Sequence, residues 1–488
     1  MKRQFTTWFM ALLLAIFIAG CSSSEPSQVY TLNVTNTGGG TVTSSPAGID
    51  CGSTCSASFT SGTSVSLSAT ANSDYTFSGW SGACTGTGTC TVSMSAARSV
   101  MAGFITQRGD LVSITSTSTL AIAEINSNIL TLTSTYGVIT TPLIADRRYQ
   151  VSLQRIVYKT VTPDGRFIDA SGLMAYPLKP DGVSSPILSY QHETILLDAQ
   201  APTSPSLGLA RDAALLVAMA GSGFIVTMPD YIGYGSSANE MHTYMHAQGL
   251  ATATVDMLRA ARQVLTNNNI ATNGQLFLTG FSEGAYATLA TQKEIQENLS
   301  AEFTVTASMP AAGPYDMSGW VRYFIEQDSY PFQVLPGFVF VAYDRWYEWN
   351  RLNDIYRQVF DPNVASFFDG TRSFSDFPGM ANSAALYGTA FRPDFRGDGE
   401  IAIKTDIAQN DIYDWSPLAP TRLVHGQGDF LVPYSNSTIA LDAMMKAGST
   451  SVTLEDLSCP DKANFHTECV ADYLTRAISW FTSLAQDL

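Results

Sequence analysis

Apolar and polar residues alternate with a period of two from about Gln28 to Phe104. The stretches "VYTLNVT", "TSVSLSAT", "CTVSMS" and "RSVMAGF" carry the alternation, and Gly, Ser and Asn fill the gaps. Successive side chains of a strand point to opposite faces, so this pattern predicts half-buried strands joined by tight turns. From about Ile105 the pattern changes. Short continuous apolar runs now alternate with longer segments of helical period. The runs are "PILSYQH", "FIVTMPD", "QLFLTGF", "FTVTASMP", "TRLVHG" and "TSVTLED". Between most of them lie helical stretches such as "LARDAALLVAMAG", "GLATATVDMLRAARQVLTNN" and "STIALDAMMKAG". Runs without alternation are buried on both faces, which implies a mostly parallel sheet covered by helices on each side. Two strands ahead of them, "VSLQRIVYKTV" and "IDASGLMAYPL", form a leading antiparallel pair and make the sheet mixed.

Two further segments stand outside these patterns. Residues 1–24 have a basic start (Lys2, Arg3) and an apolar run too short for a comfortable membrane span. The run ends in Ile18-Ala19-Gly20-Cys21, which resembles a bacterial lipobox with Cys21 as the lipidated residue. The segmentation expected is then a signal peptide over 1–20, a tether over 21–28, the all-β module over 29–106 and an α/β domain over 107–488. The second segment lies between "TASMPAAGPYD" and "DWSPLAP". It holds about 95 residues that a minimal sheet does not need, rich in Trp, Tyr and Phe, and marks an insertion at about 312–405.

Charge and cysteine content narrow the partners. The formal net charge of −16, with no offsetting basic run, excludes nucleic acid as a partner. Of the 7 cysteines, Cys21 is reserved for lipid, which leaves an even set suited to an oxidising compartment. The simplest pairing is by neighbourhood. Cys459 pairs with Cys469, and Cys51, Cys55, Cys84 and Cys90 pair locally or across. The spacings are not those of a zinc ribbon and no histidine lies nearby, so no metal is expected.

The candidate chemistry centres on Leu278–Ala287, "LTGFSEGAYA". Ser282 sits in G-x-S-x-G after the run "GQLFLTGF" and before the helical "EGAYATLATQKEIQENL". A serine on such a strand-to-helix turn is a candidate nucleophile, with helix N–H groups pointing at the reacting centre. A base and an acid must follow. His466 lies in a loop between the last strand and the last helix. Asp429 lies just past the strand Thr421–His425, and Asp456 is the alternative acid. The order Ser282, Asp429, His466 is one of the known triad orders. His242 and His246 are four apart, but no Glu or third ligand completes a metal motif. One reads as a helix start and the other as a packing residue.

The stretches "LSYQHET", "MPDYIGYGSS", "GFSEGAY", "AAGPYD", "APTRLVHGQGDFLVP" and "HTECVADYLTRAISWF" together resemble the α/β-hydrolase superfamily, in its secretory-lipase and bacterial-esterase branch. The resemblance implies an α/β-hydrolase fold with a cap and hydrolysis of carboxylic esters through an acyl-enzyme, with no cofactor. It also implies an oxyanion hole from the N–H of Glu283 and the loop at His192 and Glu193. Relatives often carry H-G-T where this chain has His192-Glu193-Thr194. A prolyl-oligopeptidase-like serine peptidase shares fold and triad but has a propeller-sized N-terminal region, which this chain lacks. The third reading is a non-catalytic surface-binding lipoprotein. The module, through "GGGTVTSSPAGIDCGSTCSASF" and "FSGWSGACTGTGTCTVSM", resembles an internalin-type B-repeat. That suggests a stapled spacer or a binder of a surface polymer. An ester or lipid substrate, membrane attachment through Cys21, and an outer-membrane or cell-surface location complete the expectations.

Overall fold

The structure, a computed structural model, describes residues 27–72, 75–127, 148–204, 211–330, 332–357, 364–376, 383–458 and 465–488. The chain divides into two compact units, Met1–Thr106 and Gln107–Leu488. Cys21 and the leader lie outside the described residues.

The first unit is all-β. Strands β1 (Val29–Asn36), β3 (Ser56–Thr60), β5 (Tyr75–Gly82) and β7 (Arg98–Thr106) form a sheet in the order β3-β1-β7-β5. Strands β2 (Gly40–Ser45), β4 (Ser64–Ala71) and β6 (Cys90–Ser93) form a second sheet, β2-β4-β6. The alternating apolar positions meet in one small core that includes Leu32, Val42, Leu67, Trp80 and Phe104. The cysteines pair locally, Cys51 with Cys55 and Cys84 with Cys90. Local pairing closes two short loops beside this core.

The second unit is built on a nine-stranded sheet. Its strands are β8 (Leu111–Leu120), β9 (Val151–Val161), β10 (Phe167–Pro177), β11 (Ser185–Gln191), β12 (Ile225–Pro229), β13 (Thr272–Phe281), β14 (Ala307–Ala311), β15 (Thr421–His425) and β16 (Val452–Asp456). The order is β16-β15-β14-β13-β11-β12-β10-β9-β8. The six strands β11 to β16 run parallel, while β8, β9 and β10 are antiparallel to their neighbours. The antiparallel edge therefore has three strands where the sequence pattern gave two. The added strand β8 reads "LVSITSTSTL" and is largely exposed, so it lacks the apolar run that marks a buried strand.

The main helices are α1 (Arg211–Gly221), α2 (Ala247–Asn267), α3 (Glu283–Asn298), α4 (Met317–Glu326), α5 (Val334–Trp346), α6 (Ile401–Ala408), α7 (Ser435–Lys446) and α8 (Val470–Leu484). One core joins α1 and α8 to one side of the sheet, through Phe224, Phe277, Tyr473 and Phe481. Another joins α2 to the opposite side, through Val255, Leu258 and Leu278. Helices α4, α5 and α6, with several single turns, form the insertion between β14 and β15. Asp316 caps α4 by accepting from Gly319 N at 2.8 Å, a contact worth about 1 kcal/mol. Many of the insertion's aromatic side chains are buried, among them Trp320, Phe324, Phe338, Phe340 and Tyr343, in a core the insertion shares with body residues such as Tyr231, Tyr244 and Tyr286.

Candidate active site

Ser282 stands between β13 and α3 with φ 58° and ψ −119°. A left-handed φ is unusual for a residue with a β-carbon and marks a strained turn held by its surroundings. The restraints are close. Ser282 N donates to Ala311 O at 2.9 Å. A β-carbon on Gly280 would lie 2.3 Å from Gly284 O, and one on Gly284 would lie 2.0 Å from Gln191 O. Only glycine fits at either position, because the turn, the first coil of α3 and the end of β11 share that space.

His466 reaches this turn from a single helical turn, Phe465–Glu468, just ahead of α8. Its Nε2 lies 2.8 Å from Ser282 Oγ, and its Nδ1 lies 2.6 Å from Asp429 Oδ2. The carboxylate only accepts, so Nδ1 carries the proton and Nε2 of the neutral ring accepts from the serine hydroxyl. The ring packs on Phe281, 4.9 Å between centroids. All three residues are at least nine-tenths buried.

Asp429 is held from several sides. Its Oδ1 accepts from Leu431 N and Val432 N, each at 2.9 Å. A second histidine, His425 at the end of β15, brings Nε2 to 3.2 Å from Oδ2, and its Nδ1 lies 2.7 Å from Ser437 Oγ. Burial pushes the carboxyl pKa up. The electrostatic attraction to His466 and the hydrogen bonds from His425 and His466 outweigh it and hold the pKa well below the usual carboxylate range. The insertion braces the same loop: Trp320 Nε1 donates to Leu431 O and Tyr330 Oη to Phe430 O, both at 3.0 Å.

Asp456 takes no part in this chain of contacts. Its carboxylate, at the exposed end of β16, accepts from Gln427 Nε2 at 2.6 Å and from the Tyr434 hydroxyl. Glu283 is the first residue of α3, where a backbone N–H has no partner within the helix. The loop after β11 runs beside it. The His192 ring is buried and turned away, with Nδ1 2.7 Å from Glu193 O and Nε2 3.3 Å from Asp230 O. Both ring nitrogens are thus engaged by carbonyl oxygens.

The remaining histidines divide as follows. His246 is the N-cap of α2, accepting from Gly249 N at 3.1 Å. His242 is neither a helix start nor mere packing: its Nε2 lies 2.6 Å from Glu283 Oε1. Sequence reasoning missed the bonds made by His242 and His425, although the i,i+4 spacing of His425 and Asp429 in "HGQGD" is a signal for the second. Cys469 is buried and disulfide-bonded, while Cys459 lies outside the described residues. No cluster of three or more His, Cys, Asp and Glu residues suited to a metal occurs among the described residues.

Both units of the chain resemble known proteins. Residues 199–321 match the secretory lipase family, and residues 30–108 match the divergent InlB B-repeat domain. Among solved structures, the rice cell wall degrading esterase LipA from Xanthomonas oryzae superposes with a TM-score of 0.65 at 26% identity. The match covers 77% of this chain and 98% of that one. The second unit has the α/β-hydrolase fold. A Legionella pneumophila protein shares the fold with a TM-score of 0.68 at 23% identity, over 77% of this chain and 98% of its own. Candida antarctica lipase A shares it more distantly, at 14% identity and a TM-score of 0.50, over 72% of this chain and 76% of its own. Curated proteins gave no match. Within this fold Gly280–Gly284 spans the turn from β13 to α3, and the insertion lies between β14 and β15.

Proposed function

We propose that the protein is a serine hydrolase of carboxylic esters, with Ser282 as nucleophile, His466 as general base and acid, and Asp429 as the acid that orients the imidazole. The observation that carries this reading is the unbroken chain Ser282 Oγ, His466, Asp429, at 2.8 and 2.6 Å, on a strained elbow. The likeness to LipA, an esterase, and the secretory-lipase match over residues 199–321 support an ester substrate.

The chemistry follows from the contacts. His466 Nε2 takes the hydroxyl proton as Ser282 Oγ attacks the acyl carbon. Asp429 holds the Nδ1–H tautomer and stabilises the imidazolium that forms. The oxyanion of the tetrahedral intermediate meets the Glu283 N–H at the positive end of α3, together with the backbone at Glu193. His466 then gives its proton to the departing alkoxide. Water enters by the same route and releases the acid, restoring the hydroxyl. No step calls for a metal or an organic cofactor.

We also read the chain as an exported lipoprotein. The lipobox-like Ile18–Cys21, the lipase family's secretory character and two disulfides in the first unit support export. No described helix is long and apolar enough to cross a membrane. Palmitate labelling that persists in Cys21→Ser would sink the lipid anchor.

The test of catalysis is a panel of p-nitrophenyl esters of rising chain length beside a peptide amide. Turnover of the esters, lost in a folded Ser282→Ala variant, is the expected result. Full turnover in that variant would remove Ser282 from the mechanism, and preference for the amide would favour a peptidase.

A further inference from the structure

The residue after the nucleophile carries a buried carboxylate that the mechanism above does not use. Glu283 and His242 are both almost fully buried. Glu283 Oε1 lies 2.6 Å from His242 Nε2, and Oε2 is buried without a hydrogen-bond partner. The other ring nitrogen, Nδ1, lies 2.7 Å from the carbonyl oxygen of Ile232. A carbonyl only accepts, so Nδ1 carries a proton. At 2.6 Å the contact between Nε2 and the carboxylate also needs a proton, since two lone pairs would repel. The pair therefore shares one, as imidazolium with carboxylate or as imidazole with carboxylic acid, and is neutral as a unit. The walls around His242 are aromatic: Tyr231, Tyr234, Tyr244 and Phe338 have ring centroids 4.7–6.0 Å away. A carboxylate without its histidine would be costly there.

Such a pair is expensive to keep where an apolar residue would fill the space, and its place in the chain supplies a reason. The Glu283 N–H is the proposed oxyanion donor, and it follows a residue held at φ 58°. A strained turn keeps its geometry only when its neighbours over-determine it. Ser282 N is tied to Ala311 O on one side. On the other side, the tie is the Glu283 side chain. His242 is in turn gripped by the cap. Trp346 Nε1 of α5 donates to His242 O at 3.5 Å, Tyr343 Oη donates to Met245 O at 2.6 Å, and Phe338 stacks on Tyr244 at 4.3 Å.

We propose that His242 is a positioning residue for ester hydrolysis: through the Glu283 carboxylate it fixes the backbone N–H that faces the oxyanion, and it couples that donor to cap helix α5. The proposal rests on the esterase reading. It assigns His242 no contact with substrate, so its signature is in kcat rather than KM.

The test uses the full chain and three variants, His242→Asn, His242→Gln and the double variant His242→Phe/Glu283→Met, which removes the pair without leaving a buried charge. The readouts are the thermal midpoint, labelling of Ser282 by a fluorophosphonate, and kcat and KM on p-nitrophenyl butyrate. Losing an oxyanion donor outright costs about 10²–10³ in kcat. A misplaced donor in the folded double variant should cost about tenfold or more, with KM changed by less than about threefold. His242→Asn, too short to span Glu283 and Ile232, should fall in the same way. His242→Gln, whose amide can still donate to the carboxylate, should recover part of the loss. Parental kcat in both His242→Asn and the double variant would overturn the proposal, and so would a loss confined to the thermal midpoint. A parent chain that neither takes up the probe nor hydrolyses the ester would sink the esterase reading, and this proposal with it.

Discussion

Asp429 Oδ2 meets His466 Nδ1 at 2.6 Å across 37 residues of chain. The contact fixes which imidazole nitrogen faces the serine. An asparagine at position 429 can turn its amide toward His466 and impose the opposite tautomer, leaving no base for the hydroxyl. Asp429→Asn should therefore lower kcat by about 10⁴, the loss known for this substitution in a serine protease. Asp456→Asn should change kcat little, because its contacts are to Gln427 and Tyr434. Ester turnover by the two purified variants decides. Loss in Asp456→Asn with activity kept in Asp429→Asn would move the acid.

The elbow makes a stability prediction that needs no assumption about substrate. Gly284→Ala places a β-carbon within 2.0 Å of Gln191 O and 2.7 Å of His192 O. Neither carbonyl can give way easily, since β11 pairs with β13 through Gln191 and Gly280. The variant should lose about 1–3 kcal/mol or more, the usual cost of overpacking a tight interior. Chemical denaturation read by fluorescence checks this. A change below about 0.5 kcal/mol, within the range of neutral surface substitutions, would contradict the packing described here.

How much of this was legible in the sequence depended on burial. The inner parallel strands read as apolar runs because both faces are covered, and "VSLQRIVYKTV" coincides with β9. Strand β8 escaped because an exposed edge strand of Ser and Thr has no apolar signature. Ser282, Asp429 and His466 were found by their order along the chain and by their positions after strands. The structure brings these three into contact. The sequence offered His242 no role beyond a helix start or packing, because its partner, Glu283, is 41 residues away and on another element. A hydrogen bond between loops leaves no period in a sequence. The same holds for Trp320 and Tyr330. Composition marked them as aromatic cap residues, but only the fold shows their polar atoms on the Asp429 loop.

His246 gives a pH dependence. Burial pushes its pKa down from the ordinary 6.5 to about 4, because the charged ring cannot be solvated there. The unfolded chain binds a proton near pH 6.5, and the folded chain only near pH 4. The contribution of His246 to stability is therefore complete above pH 6.5 and is lost as pH falls toward 4, by about 3 kcal/mol at most. Asp411 works in the opposite direction in the same window, since burial pushes its carboxyl up to about 6. It is present in both chains compared. His246→Asn keeps a good N-cap and should flatten the acid side of the stability profile relative to the parent. Parallel profiles from pH 7 to pH 4 would show that His246 does not titrate as described.

The proposed base, His466, rests on short support, and Cys469 accounts for part of it. His466 sits in a single helical turn, Phe465–Glu468, and Cys469 follows immediately as the N-cap of α8, buried and disulfide-bonded. With Cys51–Cys55 and Cys84–Cys90 paired in the first unit, Cys459 is the partner expected from the sequence. A bond between Cys459 and Cys469 would close a loop around His466 and restrict its conformations. A general base must stay within hydrogen-bond reach of the nucleophile, so the bond should matter more to turnover than to the stability of a unit with cores on both sides of its sheet. The double variant Cys459→Ser/Cys469→Ser should lose turnover, with a rise in unreactive Ser282 toward fluorophosphonate, while its thermal midpoint moves by only a few degrees. The double variant is cleaner than reducing agent, which would also open the two bridges of the first unit. Unchanged turnover would refute the positioning role. Mass mapping that joins Cys469 to any cysteine other than Cys459 would refute the pairing.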